Sequence, residues 1–293
     1  SDSGMKRNAE IGRFTKSSHI AWSRLRTLDM LEWILYPLAG GVVGILAGLL
    51  GVGGGIVIVP ILVFLFSGKG FPPQYIMQLA LATSLGCILF TSVASFWTHH
   101  RHGAVRWDIF RRITLGILIG TFSGTYIAAW LSTRSLKVFF ALFLYYVAAQ
   151  MLSNFKPKPS RQLPGPAGMT CVGGVVGVFS SLVGIGGGAL TIPFMMWCNV
   201  PVHHAIGTSA AIGFPIAAAG TIGYIVNGFF VPDLPSPHLG YLYLPALFGI
   251  ACFSFFLAPV GAKLSHKTPV VTLKRVYAVF LIVIATQMLW SVL

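Results

Sequence analysis

The sequence predicts an all-α integral membrane protein of two homologous halves, with about four apolar segments in each and 8–10 transmembrane helices in total. Three observations carry this reading. The chain is 55% hydrophobic and 9% charged, with a mean hydropathy of +0.81. A soluble domain carries about 25% charged residues, so this chain cannot cover itself for water. Its apolar stretches are long and uncharged, and they occur in an internal repeat. Glycine-rich apolar runs without polar alternation read as helices rather than barrel strands.

The repeat is clearest where Gly40 to Leu62 is laid over Gly173 to Met195, identical at 11 of 23 positions. The matches include Gly51 with Gly184, the triplet Gly53-Gly54-Gly55 with Gly186-Gly187-Gly188, and Pro60 with Pro193. Leu136 to Leu152 matches Leu273 to Leu289 in the same way, including Lys137 with Lys274 and Gln150 with Gln287. Ala82-Thr83-Ser84 answers Gly207-Thr208-Ser209, and Gly103 and Gly124 answer Gly240 and Gly261. The shared order marks a duplicated unit.

Taken in order, residues 1–32 form a basic tail, with Lys6, Arg7, Arg13, Lys16, Arg24 and Arg26 among apolar residues such as Phe14 and Trp22. It suits a segment lying on an anionic leaflet or a topogenic arm. Ser1 to Gly4 ahead of Met5 read as an appended leader, and no cleavable signal is expected. The first transmembrane repeat is expected at 33–155, a linker at 156–167 and the second repeat at 168–293. Uncharged stretches run from Trp33 to Gly68, Gly70 to His100, Ile113 to Thr133, Val138 to Phe155, Gln162 to Pro232, Leu234 to Ala262 and Val276 to Leu293. A spanning helix needs about 20 apolar residues, so Gln162 to Pro232 holds at least two crossings, divided near Asn199-Val200-Pro201.

The first segment of each half is too long for one plain helix. Tyr36 to Phe66 would reach about 45 Å against a core of about 30 Å. The glycine cluster is the expected break, with Pro60 fitting the first turn of a second half-helix. Doubled, glycine-interrupted apolar segments in corresponding places point to a transporter's binding site. If each segment crosses once, counting Lys and Arg favours a cytoplasmic tail with the Arg101 to Arg112 loop on the same side. If the broken segments are hairpins, the halves are inverted; both arrangements stay open.

The six acids, Asp2, Glu10, Asp29, Glu32, Asp108 and Asp233, all fall outside the apolar spans. Cation pumps keep a carboxylate near the midplane, so an anion is the better cargo. Mid-span Lys and Arg are absent too, which leaves neutral donors: backbone N–H groups at a helix start, aided by its dipole. The expected substrate-binding residues are Gly53, Gly54, Gly55, Thr83, Ser84, Gly186, Gly187, Gly188, Thr208 and Ser209, with Ser180, Ser181 and Thr191 behind them. Packing glue between helices is the plainer role for the hydroxyls and the glycines. His99, His100, His102, His203 and His204 read as interface residues or a proton relay. Cys87, Cys171, Cys198 and Cys252 read as packing residues, with neither disulfide nor metal spacing. Catalytic residues, metals and cofactors are not expected. GxSxG and Walker A motifs are absent, and the GxGxxA match at Gly184 to Ala189 lacks its acid partner.

The signature Gly44 to Gly55 followed by Val59-Pro60, repeated as Gly184 to Gly188 followed by Ile192-Pro193, resembles the sulfite exporter TauE/SafE family. Gly207-Thr208-Ser209 fits as well, while Ala82 departs from it in the first copy. The likeness covers about Leu38 to Leu293. It implies a multi-pass carrier of the bacterial inner membrane that exports a small sulfur oxyanion, sulfite above all, by alternating access between the two glycine breaks. A channel-like anion pathway, or a carrier for an organosulfonate such as sulfoacetate in either direction, is the alternative. The partners implied are the organosulfur anion and the lipid bilayer, with room for a homodimer and no nucleic acid.

Overall fold

The structure is a computed structural model that describes residues 34–46, 54–153, 161–265 and 270–292. The basic tail at 1–32, Gly51 to Gly53 and residues 156–160 of the linker lie outside it. The described elements are α1 (Ile34–Leu46), α2 (Gly55–Gly68), α3 (Ile76–Arg101), α4 (Trp107–Trp130), α5 (Thr133–Leu152), α6 (Pro166–Val183), α7 (Gly188–Trp197), α8 (Val202–Gly228), a hairpin of β1 (His238–Leu239) and β2 (Leu242–Tyr243), α9 (Leu244–Ser265) and α10 (Val270–Trp290). The protein is thus an all-α membrane protein. α3, α4, α5, α6 and α8 are long and apolar enough to cross a bilayer, while α1, α2 and α7 are shorter apolar helices.

Local chemistry sets the ends of these elements. Pro166 opens α6, where its missing N–H costs nothing. Ser132 caps α5 by accepting from the Ser135 N–H at 3.1 Å. Pro60 and Pro193 lie inside α2 and α7, each the sixth residue of its helix rather than in the first turn as expected. Each removes the N–H that would bond the carbonyl four residues back, on Ile56 and Ala189.

Packing fixes the direction of each helix. α3 and α8 are antiparallel: side-chain atoms added at Gly220, Gly213 and Gly207 would meet Leu85, Ser92 and Ala104 in turn. α5 and α10 are also antiparallel, joined by Lys137 Nζ to Ser291 Oγ at 3.2 Å and Tyr145 Oη to Thr286 Oγ1 at 2.8 Å. α4 runs parallel to α6, with Gly116 against Thr170, Gly120 against Gly174 and Gly124 against Val178. α1 runs parallel to α9, with Gly40 against Ile250 and Gly44 against Ser254. Small residues at these positions let the backbones touch, the usual basis of helix association in lipid.

α6 stops at Gly184, whose φ of +69° belongs to the left-handed region, and the Ile185 N–H donates back to the Ser180 carbonyl at 3.1 Å. Gly187, at φ +77°, then caps the start of α7. α7 turns back rather than continuing. Gly187 faces Ile216 of α8, Thr191 bonds Ser209 nearer the start of α8, and the Trp197 carbonyl accepts from the N–H of Arg161, just before α6. The α6–α7 hairpin therefore enters and leaves by one face, which also carries Arg101 and Arg106. At 10 residues α7 is about 15 Å long, so its tip lies near mid-depth of a core of about 30 Å.

α1 and α2 make the opposite hairpin. Tyr36 at the start of α1 and Phe66 and Phe71 at the end of α2 all pack on Tyr243, with ring centroids 5.1–6.1 Å apart. Lys69 Nζ lies 5.4–5.7 Å from the Tyr36, Phe71 and Tyr243 rings. This tyrosine face is the far end of α3 from Arg101. Of the two arrangements left open by the sequence, this packing fits the hairpins rather than single crossings. Ile34 begins on the face opposite Arg101 and Arg106; the tail, expected on the same side as the Arg101 to Arg112 loop, lies outside the described residues. Charge counting cannot register a chain that turns round inside the core.

Candidate functional site

The start of α2 meets the α6–α7 turn. Gly55, the first residue of α2, lies against the α6–α7 turn so closely that a Cβ there would be 2.5 Å from the Gly184 carbonyl oxygen and 3.0 Å from Ile185 Cα. Gly186 faces Ile88 of α3 and Gly213 of α8. α2 leaves this point toward the tyrosine face and α7 toward the arginine face. α2 thus begins against the turn that leads into α7, which brings the N-terminal dipole ends of the two helices into one region. The Gly54 carbonyl takes the N–H groups of Val57 and Ile58, and the Gly187 carbonyl those of Leu190 and Thr191. The N–H groups of Gly55, Ile56, Gly188 and Ala189, in the first turns of these helices, have no intrahelical acceptor. Among the described residues, Asp108 and Asp233 are the acids, and both lie at the ends of the bundle.

Of the expected site residues, Gly55 lies against the α6–α7 turn that carries Gly186, Gly187 and Gly188, Gly54 caps α2, and Gly53 is outside the described residues. Ser84 and Ser209 reach them from α3 and α8. Ser84 donates to the Gly184 carbonyl at 2.8 Å. Ser209 Oγ lies 2.7 Å from Thr191 Oγ1, and Thr191 donates to the Gly187 carbonyl at 3.0 Å. Each of these protons is used to pin the α6–α7 turn. Thr83 and Thr208 are directed elsewhere. Thr83 Oγ1 accepts the Tyr243 N–H at 3.2 Å, and Thr208 Oγ1 accepts the Arg106 N–H at 2.9 Å. Arg106 and Tyr243 are the residues just before α4 and α9, each three places after a left-handed glycine, Gly103 at φ +64° and Gly240 at φ +56°. The two threonines are matching tethers at opposite ends of the bundle.

Sequence reasoning did not find the Tyr243 and Arg106 partners, because a backbone N–H leaves no mark in a sequence; the matched Gly103 and Gly240 were the one signal available. It also missed Tyr224, fully buried, whose hydroxyl donates to the Ser181 carbonyl at 3.0 Å and holds α8 on α6. His99, His100, His102, His203 and His204 gather on the arginine face, away from the α6–α7 turn, with His204 Nδ1 3.2 Å from the Ala104 carbonyl. Arg106 donates to Asp108 at 2.7 and 2.8 Å, which holds its guanidinium above its ordinary pKa. An apolar groove between α6 and α7, lined by Cys171, Val175, Phe179 and Phe194, offers no donors to an anion. The four cysteines are free thiols.

The sequence profile of the sulfite exporter TauE/SafE family matches residues 36–288, from α1 to the last turn of α10. The chain belongs to the sulfite exporter TauE/SafE family. A relative from Haemophilus influenzae, named "Probable membrane transporter protein", is 38% identical over 87% of this chain and 97% of its own length. A Methanocaldococcus jannaschii relative, "Probable membrane transporter protein MJ0441", is 30% identical over 80% of this chain and 88% of its own. "Probable membrane transporter protein YunE" of Bacillus subtilis is 26% identical over 89% and 98%. No solved structure matches significantly. This TauE/SafE protein is a multi-pass membrane transporter and not an enzyme.

Proposed function

We propose that this TauE/SafE transporter exports a small sulfur oxyanion, most fittingly sulfite, across the bacterial inner membrane by alternating access between two inverted halves, α1–α5 and α6–α10. The observation that carries the reading is the meeting of two helix starts at Gly55 and Gly184 to Gly188, in a core whose described residues hold no carboxylate. An anion there would accept from the free N–H groups of α2 and α7 without the desolvation cost of a buried cation. The inverted halves are supported by corresponding elements in the same order and by equivalent pairings: α4 with α6 and α9 with α1, α3 with α8, α5 with α10.

Proteoliposomes loaded with sulfite, sulfate, thiosulfate or sulfoacetate, with and without a pH gradient, test this. Saturable sulfite efflux with counterflow is expected. Flux that rises linearly with concentration and shows no counterflow would make the protein a channel, and preferred movement of sulfoacetate would make it an organosulfonate carrier.

A further inference from the structure

Resting on that reading, the structure narrows which half grips the anion. The hydroxyls of Ser84, Thr191 and Ser209 spend their protons on protein oxygens around the α6–α7 turn. Ser180 does not. Its Oγ is fully buried and has no hydrogen-bond partner, and it lies 3.4 Å from where a Cβ on Gly187 would stand, at the cap of α7. A buried hydroxyl left unpaired costs about 1–3 kcal/mol, so its persistence beside a helix start with free N–H groups points to a guest that accepts from it. The repeat adds an independent point. At the 133-residue offset Ser180 corresponds to Ala47 and Thr191 to Ile58, so the first hairpin carries no hydroxyl at either place.

We infer that the anion is held mainly by the α6–α7 hairpin, with Ser180 Oγ–H as its side-chain donor and the N–H groups of Gly188 and Ala189 as its backbone donors. Site symmetry is thus broken although the fold repeats: the side-chain donor lies on the α6–α7 side. Ser180 becomes the side-chain donor that an anion meets at that corner.

The test uses the full chain in detergent, with sodium sulfite titrated anaerobically by calorimetry and unfolding followed with and without sulfite. Ser180→Ala is expected to weaken sulfite binding about 10- to 100-fold, the loss of one hydrogen bond to a charged group. The unliganded protein is expected to unfold at the same temperature or higher, because an unpaired buried group has gone. Ser180→Cys, close in size but a weaker donor, should fall between. Thr114→Ala, which removes a hydroxyl bonded to the Phe110 carbonyl at 2.6 Å on α4, should bind as the parent does.

Parental affinity in Ser180→Ala and Ser180→Cys, or a lower unliganded unfolding temperature in Ser180→Ala with its affinity intact, overturns the inference and makes Ser180 structural. Gly187→Val separates the two readings. If the parent binds sulfite, Gly187→Val does not, and Ser180→Ala still does, the inference alone fails. If the parent does not bind sulfite, or Gly187→Val binds it normally, the function proposed above fails with it.

Discussion

One added methyl group at Gly55 is the sharpest probe of the meeting of the tips. A Cβ there would sit 2.5 Å from the Gly184 carbonyl oxygen, 2.8 Å from Ile88 Cδ1 and 3.0 Å from Ile185 Cα. The Ile88 methyl is the end of a flexible side chain and can turn away. The other two atoms are backbone, in a turn pinned by the Ser84 hydrogen bond and the left-handed Gly184, and cannot yield cheaply. Ordinary contact begins near 3.4 Å, so the turn has to retreat by almost an ångström or α2 has to shift. Overpacking of that kind costs about 1–3 kcal/mol. The matched control is Gly186→Ala, whose Cβ would meet Ile88 Cγ2 at 3.4 Å and Gly213 Cα at 3.8 Å, ordinary contacts that require no movement. Gly55→Ala should therefore unfold at lower temperature in detergent and transport sulfite more slowly, while Gly186→Ala keeps its stability. Equal stability in the two variants, with Gly55→Ala fully active, would mean that the tips do not touch in the membrane and would refute the argument.

Four further outcomes follow from the geometry. Thr83→Val and Thr208→Val each strand a backbone N–H, of Tyr243 and Arg106, and should each lower stability by about 1–3 kcal/mol in thermal unfolding; a loss at one site only would break the equivalence of the tethers. Asp108→Asn and Asp233→Asn should leave transport and its pH dependence intact in proteoliposomes, since the Arg106–Asp108 pair is exposed and such pairs are worth at most about 1 kcal/mol; loss of the pH response would assign proton coupling to a carboxylate. In a background without Cys87, Cys171, Cys198 and Cys252, Ser67→Cys and His102→Cys should label from opposite sides of the membrane, and labelling from one side would restore single crossings. Gly187→Val should abolish sulfite binding in calorimetry while the protein elutes as a folded species, since a β-branched residue at φ +77° is strained by about 1–3 kcal/mol and its bulk fills the cap of α7.

Much of this protein is written along the chain. Burial of backbone groups in lipid requires helices or a closed barrel, and long apolar runs without polar alternation decide for helices, while the repeated Gly-Gly-Gly and Pro marks where α6 gives way to α7. The distribution of six acids is likewise a one-dimensional fact, and it argues for an anion before any fold is known. What the chain cannot carry is direction. Hydropathy is the same whether a segment continues through the core or turns back, and only the packing of α7 along α8, Gly187 at Ile216 and Thr191 at Ser209, makes the turn. The tasks of the hydroxyls are decided the same way. Thr83 and Ser84 are neighbours of one chemistry on one helix, yet one faces the Tyr243 N–H and the other the Gly184 carbonyl, because successive helix residues point about 100° apart and meet different neighbours. Ser180 has no such mark in the sequence either: only the folded chain leaves its hydroxyl buried with no hydrogen-bond partner beside the cap of α7.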